Sequence, residues 1–275
     1  MDILKLSNYH KNDENIIFYE DGHKYKILSD KNSTYTSVTT WIHNHFKKFD
    51  SDKIISNMMK GKNWHEGHKY WGLSAIEIKK LWSENGKKES QAGTDLHYNI
   101  ECFMNNSELK KGYIHKDLYN SYINKPLPIY HNNIEWQYFL NFVLENEDFI
   151  PYRTEWMIYD TDYKLAGSID MVYKNKDGSL NIYDWKRSKE ITTINRWNQF
   201  STTPCIAELP DSNFWHYSLQ LNIYKRIIEK NYNFIIKDLY LVRLHPNNED
   251  NNYILIKAAD LSDQVTRLLE KKILK

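Results

Sequence analysis

The sequence predicts an α/β fold of the α+β kind: a central mixed sheet with an antiparallel three-strand meander, flanked by helices. Three observations carry that expectation. Residues 152–159, 165–173 and 180–186 are short strand-like runs separated by turn residues, the pattern of a meander. A helical stretch precedes them and another follows, and a further strand-like run comes at 237–244. The order helix, three strands, helix, strand requires helices to pack on the faces of one sheet.

Taken in chain order, the first element is a hairpin, with 16–19 and 24–27 flanking the turn signal Asp21-Gly22. Short helices follow at 38–46 and 51–60. Ser74-Ala75-Ile76-Glu77 has the spacing of a capping box, and Gly86 reads as a helix stop, so a helix is expected over 75–85. Another runs from 90 to 104. The stretch 105–133, with Pro126 and Pro128, reads as loops, and 134–144 as a helix. After the meander a long loop, 188–213, leads into a helix at 214–231. Strands at 237–244 and 253–257 and a helix at 261–274 complete the chain. The organisation expected is an N-terminal hairpin and helical insertion, 1–89, joined in one compact unit to a core, 90–275.

Composition narrows the function classes. Hydrophobic residues make up 41% of the 275 positions, enough for a substantial core. No run approaches the roughly 18 apolar residues of a membrane span. Residues 1–10 lack an apolar signal core, so the expected location is intracellular: cytoplasm, nucleoid, nucleus or a viral replication site. Two cysteines, Cys102 and Cys205, cannot make a disulfide framework or ligate an iron–sulfur cluster. With 37 basic against 36 acidic side chains, a nucleic-acid site must come from local charge separation. The 21 Tyr and 9 Trp serve either core packing or base stacking, and composition does not decide between them.

Register arithmetic brings particular acids together. A three-residue loop, Lys176-Asp177-Gly178, with Gly178 in the left-handed region, pairs Asn175 with Ser179. Continued, that register sets Asp170 opposite Asp184 and Ser168 opposite Lys186. A two-residue turn at Asp177-Gly178 would put the aspartates on opposite faces instead. With Asp162-Tyr163 at the tip of the preceding turn, Thr161 pairs with Lys164 and Glu155 falls opposite Asp170. A row of three carboxylates then crosses the sheet, with Lys186 on the face of Asp184. Carboxylates about 5 Å apart repel by roughly 3 kcal/mol at an effective dielectric of about 20. Such a row calls for a proton, a lysine or a divalent cation, and oxygen ligands of this kind suit Mg²⁺ or Mn²⁺. The alternative is a set of ordinary solvated acids, offset in register.

Gly167-Ser168-Ile169-Asp170 followed by Tyr183-Asp184-Trp185-Lys186 resembles the signature of the PD-(D/E)xK nuclease superfamily, in particular its RecB-like branch. Gln91-Ala92-Gly93-Thr94-Asp95-Leu96-His97, with Glu101, is similar to the branch's upstream helix, and Gln220 with Tyr224 to its downstream Gln-x-x-x-Tyr motif. The resemblance covers about residues 90–245 and extends to the mitochondrial genome maintenance exonuclease subgroup with its viral and phage relatives. The cluster cysteines of some members are absent here, and residues 1–89 match nothing assignable.

The resemblance implies a restriction-endonuclease-like core that cleaves DNA with one or two Mg²⁺ or Mn²⁺ ions. Asp170 and Asp184 would hold the metal, with His97 and the Trp185 backbone carbonyl as further ligands. Glu155 would be an outer or second-metal ligand, or equally a surface salt-bridge acid. Lys186 would position the attacking water and stabilise charge on phosphorus; beside several acids it should stay protonated, so positioning suits it better than general-base work. Gln220 and Tyr224, on one helix face, either contact the DNA backbone together with Ser168 and Arg187 or serve as a structural bond and a core aromatic. The stretch 47–88 interleaves Lys53, Lys60, Lys62 and Lys69 with Trp64, Trp71 and Trp82. It reads either as an arch that stacks single-stranded bases or as a solvated amphipathic helix pair. His43 with His45, and His65 with His68, lack acidic or Cys partners at supporting spacing and do not make a second metal site.

Three functions follow from these residues. The first is an exonuclease of single-stranded DNA. An endonuclease on the same core and a non-catalytic nucleic-acid-binding protein on a decayed nuclease fold are the alternatives. The intact Asp170, Asp184 and Lys186 argue against the last.

Overall fold

Most strands and helices of this chain bury apolar side chains in two large cores, while the N-terminal hairpin packs in a smaller third one. A computed structural model describes residues 2–106, 109, 111–125 and 133–273. The chain divides into two compact units, one made of residues 1–47 and 96–275 and the other of 48–95. The N-terminal hairpin thus groups with the core, and the boundary expected at 89/90 falls within a helix instead.

In the larger unit, α1 (Ile3–Ser7) and a 3-10 turn (Lys11–Asn15) lead into the hairpin of β1 (Ile16–Tyr19) and β2 (Lys24–Ile27). β3 (Thr36–Ser37) and α2 (Val38–His43) follow, with Ser37 capping α2 by accepting from the Thr40 N–H. The smaller unit holds α3 (Ser51–Met59) and the first part of α4 (Ala75–Met104). The chain continues with α5 (His115–Asn124), α6 (Ile134–Glu145), β4 (Ile150–Asp160), β5 (Leu165–Lys174) and β6 (Leu180–Lys186). It ends with α7 (Asn213–Asn231), β7 (Ile236–Arg243), β8 (Ile254–Lys257) and α8 (Ser262–Ile273).

Three of these elements correct the sequence reading. Gly86 does not stop a helix: α4 runs unbroken for 30 residues, since an interior Gly costs only about 1 kcal/mol and Lys87 to Ala92 are good helix formers. The stretch expected to be loops contains α5, whose Asp117 carboxylate accepts from the Ile114 N–H and whose His115 and Leu118 are buried. Pro126 and Pro128 lie outside the described residues. β3, only two residues long, exists because β5 offers it an edge, which no local pattern announces.

The six-stranded sheet is mixed. β4 pairs antiparallel along the whole of β5, so β3 and β6 share the opposite edge of β5. β3 pairs parallel with Leu165–Ala166 there, and β6 antiparallel from Met171 to Lys174. Among the described residues, the intervening edge, 167–170, has no strand partner in the ladder. β6 pairs parallel with β7 through the α7 crossover, and β8 closes the sheet antiparallel to β7. One face packs against α2, α7 and α8 through Ile182, Leu180, Leu221, Ile223 and Leu268. The other packs against the end of α4, α5 and α6 through Tyr183, Trp185, Ile100, Leu118 and Phe142. Among the described residues no helix is long and apolar enough to cross a membrane.

Candidate active site

The second turn of the meander has the geometry its sequence dictates; the first spans four residues, 161–164, with Lys164 at φ +49°, in place of the expected Thr161–Lys164 pair, yet it keeps the expected register. Gly178 has φ +87°, its N–H donates to the Asn175 carbonyl, and Asn175 pairs with Ser179. The β5–β6 ladder runs from Lys174↔Leu180 to Met171↔Tyr183, and the next position in that register is Asp170 opposite Asp184. On the other side Thr154↔Met171 and Trp156↔Ile169 flank Glu155 and Asp170, which therefore stand opposite each other.

The strands are not regular at this point. Glu155 has φ +43°, a left-handed conformation rarely tolerated by a side chain with a Cβ. Ile169 and Met171, two apart on β5, enter different cores, so the in–out alternation breaks at Asp170. Beyond Met171↔Tyr183 the ladder ends, and the Trp185 N–H donates to Asp170 Oδ2 (2.9 Å) in place of a backbone acceptor. The Asp170 carbonyl in turn accepts from Thr154 Oγ1 (2.9 Å).

As a result the three acids do not form a simple row. Glu155 and Asp170 gather around His97 from α4, whose Nδ1 lies 3.8 Å from Glu155 Oε1 and 3.6 Å from Asp170 Oδ2. Ser168 Oγ steadies the other Glu155 oxygen at 3.0 Å. Asp184, 1% exposed, faces α7 instead. Its Oδ1 accepts from Gln220 Nε2 (3.3 Å), and its Oδ2 lies 2.5 Å from Lys186 Nζ. Gln220 also donates to the Tyr224 hydroxyl at 3.3 Å.

Gly167 makes this arrangement possible. A Cβ there would stand 2.6 Å from the Tyr224 ring and 2.8 Å from its hydroxyl, so only glycine lets α7 approach β5 closely enough to align Gln220. Tyr217 is a contributor that the motifs did not single out: Lys186 Nζ lies 4.6 Å from its ring centroid, a cation–π contact. The signal was present in its spacing, since Tyr217, Gln220 and Tyr224 recur at i, i+3 and i+7 and share one helix face.

Burial and charge set the protonation states. Burial raises the Asp184 carboxyl to about 6, with Lys186 opposing and Asp170 adding to the rise. Asp170 is likewise raised by burial, against the charges of His97 and Lys186. Burial would lower Lys186, but Asp184 and Asp170 outweigh it and the amine is held above its ordinary value. It is therefore a cation, poorly suited to accept a proton. Burial would also lower His97, yet Asp170 and Glu155 raise it to about 9.

The tautomer of His97 follows from its neighbours. The Trp185 carbonyl, 2.9 Å from Nε2, can only accept, so Nε2 carries a proton and Nδ1 is the atom turned to the carboxylates. Without a proton on Nδ1, the histidine offers its lone pair beside two carboxylates. These three donor atoms lie within 4.8 Å of one another. Octahedral ligands about 2.1 Å from an ion stand roughly 3 to 4 Å apart, so His97, Glu155 and Asp170 are the residues that could hold a small divalent ion. Asp184 is outside this group, and the Trp185 carbonyl, the other expected ligand, is engaged by His97.

Most of the remaining sequence candidates have partners of their own. Arg187 Nε donates to Glu135 Oε1 on α6 at 2.7 Å, in a largely buried ion pair. Lys62, Trp64 and Trp71 belong to the smaller unit, where Trp64 meets Trp71 and His68 at centroid distances of 5.7 and 4.9 Å. Trp82 meets Tyr70 and Phe49 in the same unit. Comparison with known proteins finds no family model and no curated protein that matches the chain.

Proposed function

We propose that this chain is a Mg²⁺- or Mn²⁺-dependent deoxyribonuclease, most specifically an exonuclease of single-stranded DNA. One observation carries the reading: a His–Glu–Asp donor set of metal-ligand spacing stands beside an Asp184–Lys186 pair. That is the chemistry implied by the PD-(D/E)xK resemblance.

His97, Glu155 and Asp170 would hold the ion, which when bound polarises the scissile phosphate and acidifies water. The other roles belong to the chain's own groups. Lys186, kept protonated, donates to the attacking water and to a non-bridging phosphate oxygen as negative charge builds there. Asp184 fixes the ammonium, and Gln220 and Tyr224 fix Asp184 from α7. The backbone at Glu155 holds its carboxylate against Ser168 and toward His97.

The single-strand preference rests on the smaller unit's aromatic cluster, in which Trp71 remains 47% exposed, and on the exposed Lys62 and Lys69 of the same unit. Bases stack on such rings without sequence readout while lysines neutralise phosphates.

The test is a panel of end-labelled linear single strands, circular single strands, duplexes and RNA, each with Mg²⁺, Mn²⁺, Ca²⁺ or EDTA. Cleavage of linear single-stranded DNA with Mg²⁺ or Mn²⁺, and not with Ca²⁺ or EDTA, is expected. Efficient cutting of the circle replaces the exonuclease by an endonuclease. Binding without cleavage under every condition removes the enzyme reading altogether.

A further inference from the structure

The loop between β6 and α7 leaves the candidate site directly, since it begins one residue beyond Lys186, and it has no regular structure before the 3-10 turn at Pro204–Ile206. It is nonetheless firmly built. Asn195 Oδ1 accepts from the N–H groups of Trp197 (2.8 Å) and Gln199 (3.2 Å), and the Asn198 N–H donates to the Asn195 carbonyl. Asn195 Nδ2 in turn donates to the Asp211 carbonyl (2.5 Å). The Asp211 N–H returns to the Gln199 carbonyl, and Phe200 bridges Pro210. Trp215 and Asn213 of α7 secure the other limb, through the Thr193 carbonyl and the Thr192 N–H.

This fixed loop buries Ile206 and Leu209 but turns two of its large apolar side chains far outward. Trp197 is 82% exposed and Ile194 69% exposed. A loop held by so many bonds has no need to expose an indole for its own stability, and burying that indole is the ordinary outcome. Lys189 and Arg196 are exposed on the same loop, Arg196 paired with Glu190 at 3.3 Å, and His43 and Lys47 act electrostatically on Asp211 at the loop's end. The loop's attachment at Asn213 is one helical turn, about 6 Å, from Tyr217, whose ring carries Lys186.

We infer that Trp197 is a stacking platform for an unpaired base of single-stranded DNA, a few nucleotides along the strand from the candidate active site. The assignment rests on the nuclease reading for its ligand. Because Asn195 already fixes the loop, stacking on Trp197 requires no ordering of the backbone, and a flat π-face accepts any base.

The experiment measures binding apart from cleavage. Fluorescence anisotropy of a labelled 12-nucleotide single strand is recorded in EDTA for wild type, Trp197→Ala and Trp197→Phe, with metal-dependent cleavage assayed separately. Trp197→Ala is expected to bind about tenfold more weakly and Trp197→Phe within about threefold of wild type. Melting temperatures should be unchanged, since the side chain is exposed. Equal affinity for Trp197→Ala and wild type overturns the inference and leaves a protein surface as the loop's occupant, as does a wild type that binds no single strand. Cleavage by a protein whose Trp197→Ala variant binds normally removes this inference alone. Trp197-dependent binding without any cleavage removes the nuclease reading and keeps this one.

Discussion

The Trp185 backbone N–H donates to the Asp170 carboxylate at 2.9 Å, just where the β5–β6 ladder has ended. A side chain has taken over a backbone acceptor's place, which lets the two strands part while their polar groups stay satisfied. The opening admits His97 from α4 on one side of the sheet and Gln220 from α7 on the other. Five consequences of this arrangement can be measured.

The close approach of α7 to β5 depends on Gly167. In Gly167→Ala the new methyl collides with Tyr224, and overpacking of this kind costs about 1–3 kcal/mol. Urea unfolding should show that loss, with activity falling further because Gln220 is displaced from Asp184. Tyr224→Phe, which loses only the hydroxyl's bond, should cost about 1 kcal/mol. The losses of Gly167→Ala and Tyr224→Ala should be less than additive, since the second removes the collision made by the first.

Arg187 follows β6 immediately, yet its guanidinium is committed to Glu135. Removing one member of a largely buried pair leaves a desolvated charge, so Arg187→Ala should destabilise by about 3–5 kcal/mol. Arg187→Met with Glu135→Leu should be much milder. A stable Arg187→Ala protein with weakened DNA binding would instead make Arg187 a phosphate contact.

Acid should unfold the protein partly through His115, which is fully buried with its Nε2 2.9 Å from the Tyr173 hydroxyl. Burial lowers its pKa to about 3 from an ordinary value of 6.5. The neutral form is thus the folded form, and its contribution is fully present above pH 6.5. It is lost as pH falls from 6.5 toward 3, by about 1.4 kcal/mol per unit, because the unfolded chain binds the proton first. Stability measured in urea at pH 7, 6 and 5 should therefore fall less steeply in His115→Gln than in wild type. Equal slopes would contradict the assignment.

Metal binding should be coupled to proton release at His97. Its pKa, about 9 in the ion-free site, means that Nδ1 is protonated at neutral pH and must lose that proton to ligate. Affinity for Mn²⁺ should rise by about tenfold per pH unit up to about pH 9 and then level off. Calorimetry in buffers of different ionisation enthalpy should show close to one proton released near pH 7.5. His97→Gln should bind Mn²⁺ more weakly and release none there.

Much of this site could be read from the sequence because turns fix registers. Lys176-Asp177-Gly178 sets the β5–β6 register that runs to Met171↔Tyr183, one step short of Asp170 and Asp184, and the β4–β5 register brings Glu155 opposite Asp170. Lys186 lies against Asp184 for the same reason of two-residue periodicity. What escaped was whatever departs from regularity or depends on distant chain. The positive φ of Glu155 and the broken alternation at Asp170 turn an expected row of acids into a His97-centred group and a Lys186-centred pair. The bond from Arg187 to Glu135 spans 52 residues and has no local signal. Gly86 misled because glycine marks helix ends by propensity, while the residues after it are strong enough helix formers to carry α4 through.

The central claim is that His97, Glu155 and Asp170 bind a divalent ion at which Lys186 assists phosphodiester hydrolysis. The direct measurement is single-turnover cleavage of one end-labelled single strand of DNA with Mn²⁺ or EDTA, by wild type, Lys186→Ala and Asp170→Asn. The account predicts cleavage by wild type with Mn²⁺ only. It also predicts at least a hundredfold loss in Lys186→Ala (about 3 kcal/mol of transition-state stabilisation) with unchanged folding, and loss of both Mn²⁺ binding and cleavage in Asp170→Asn. Undiminished cutting in EDTA, or by the Lys186→Ala protein, would contradict it.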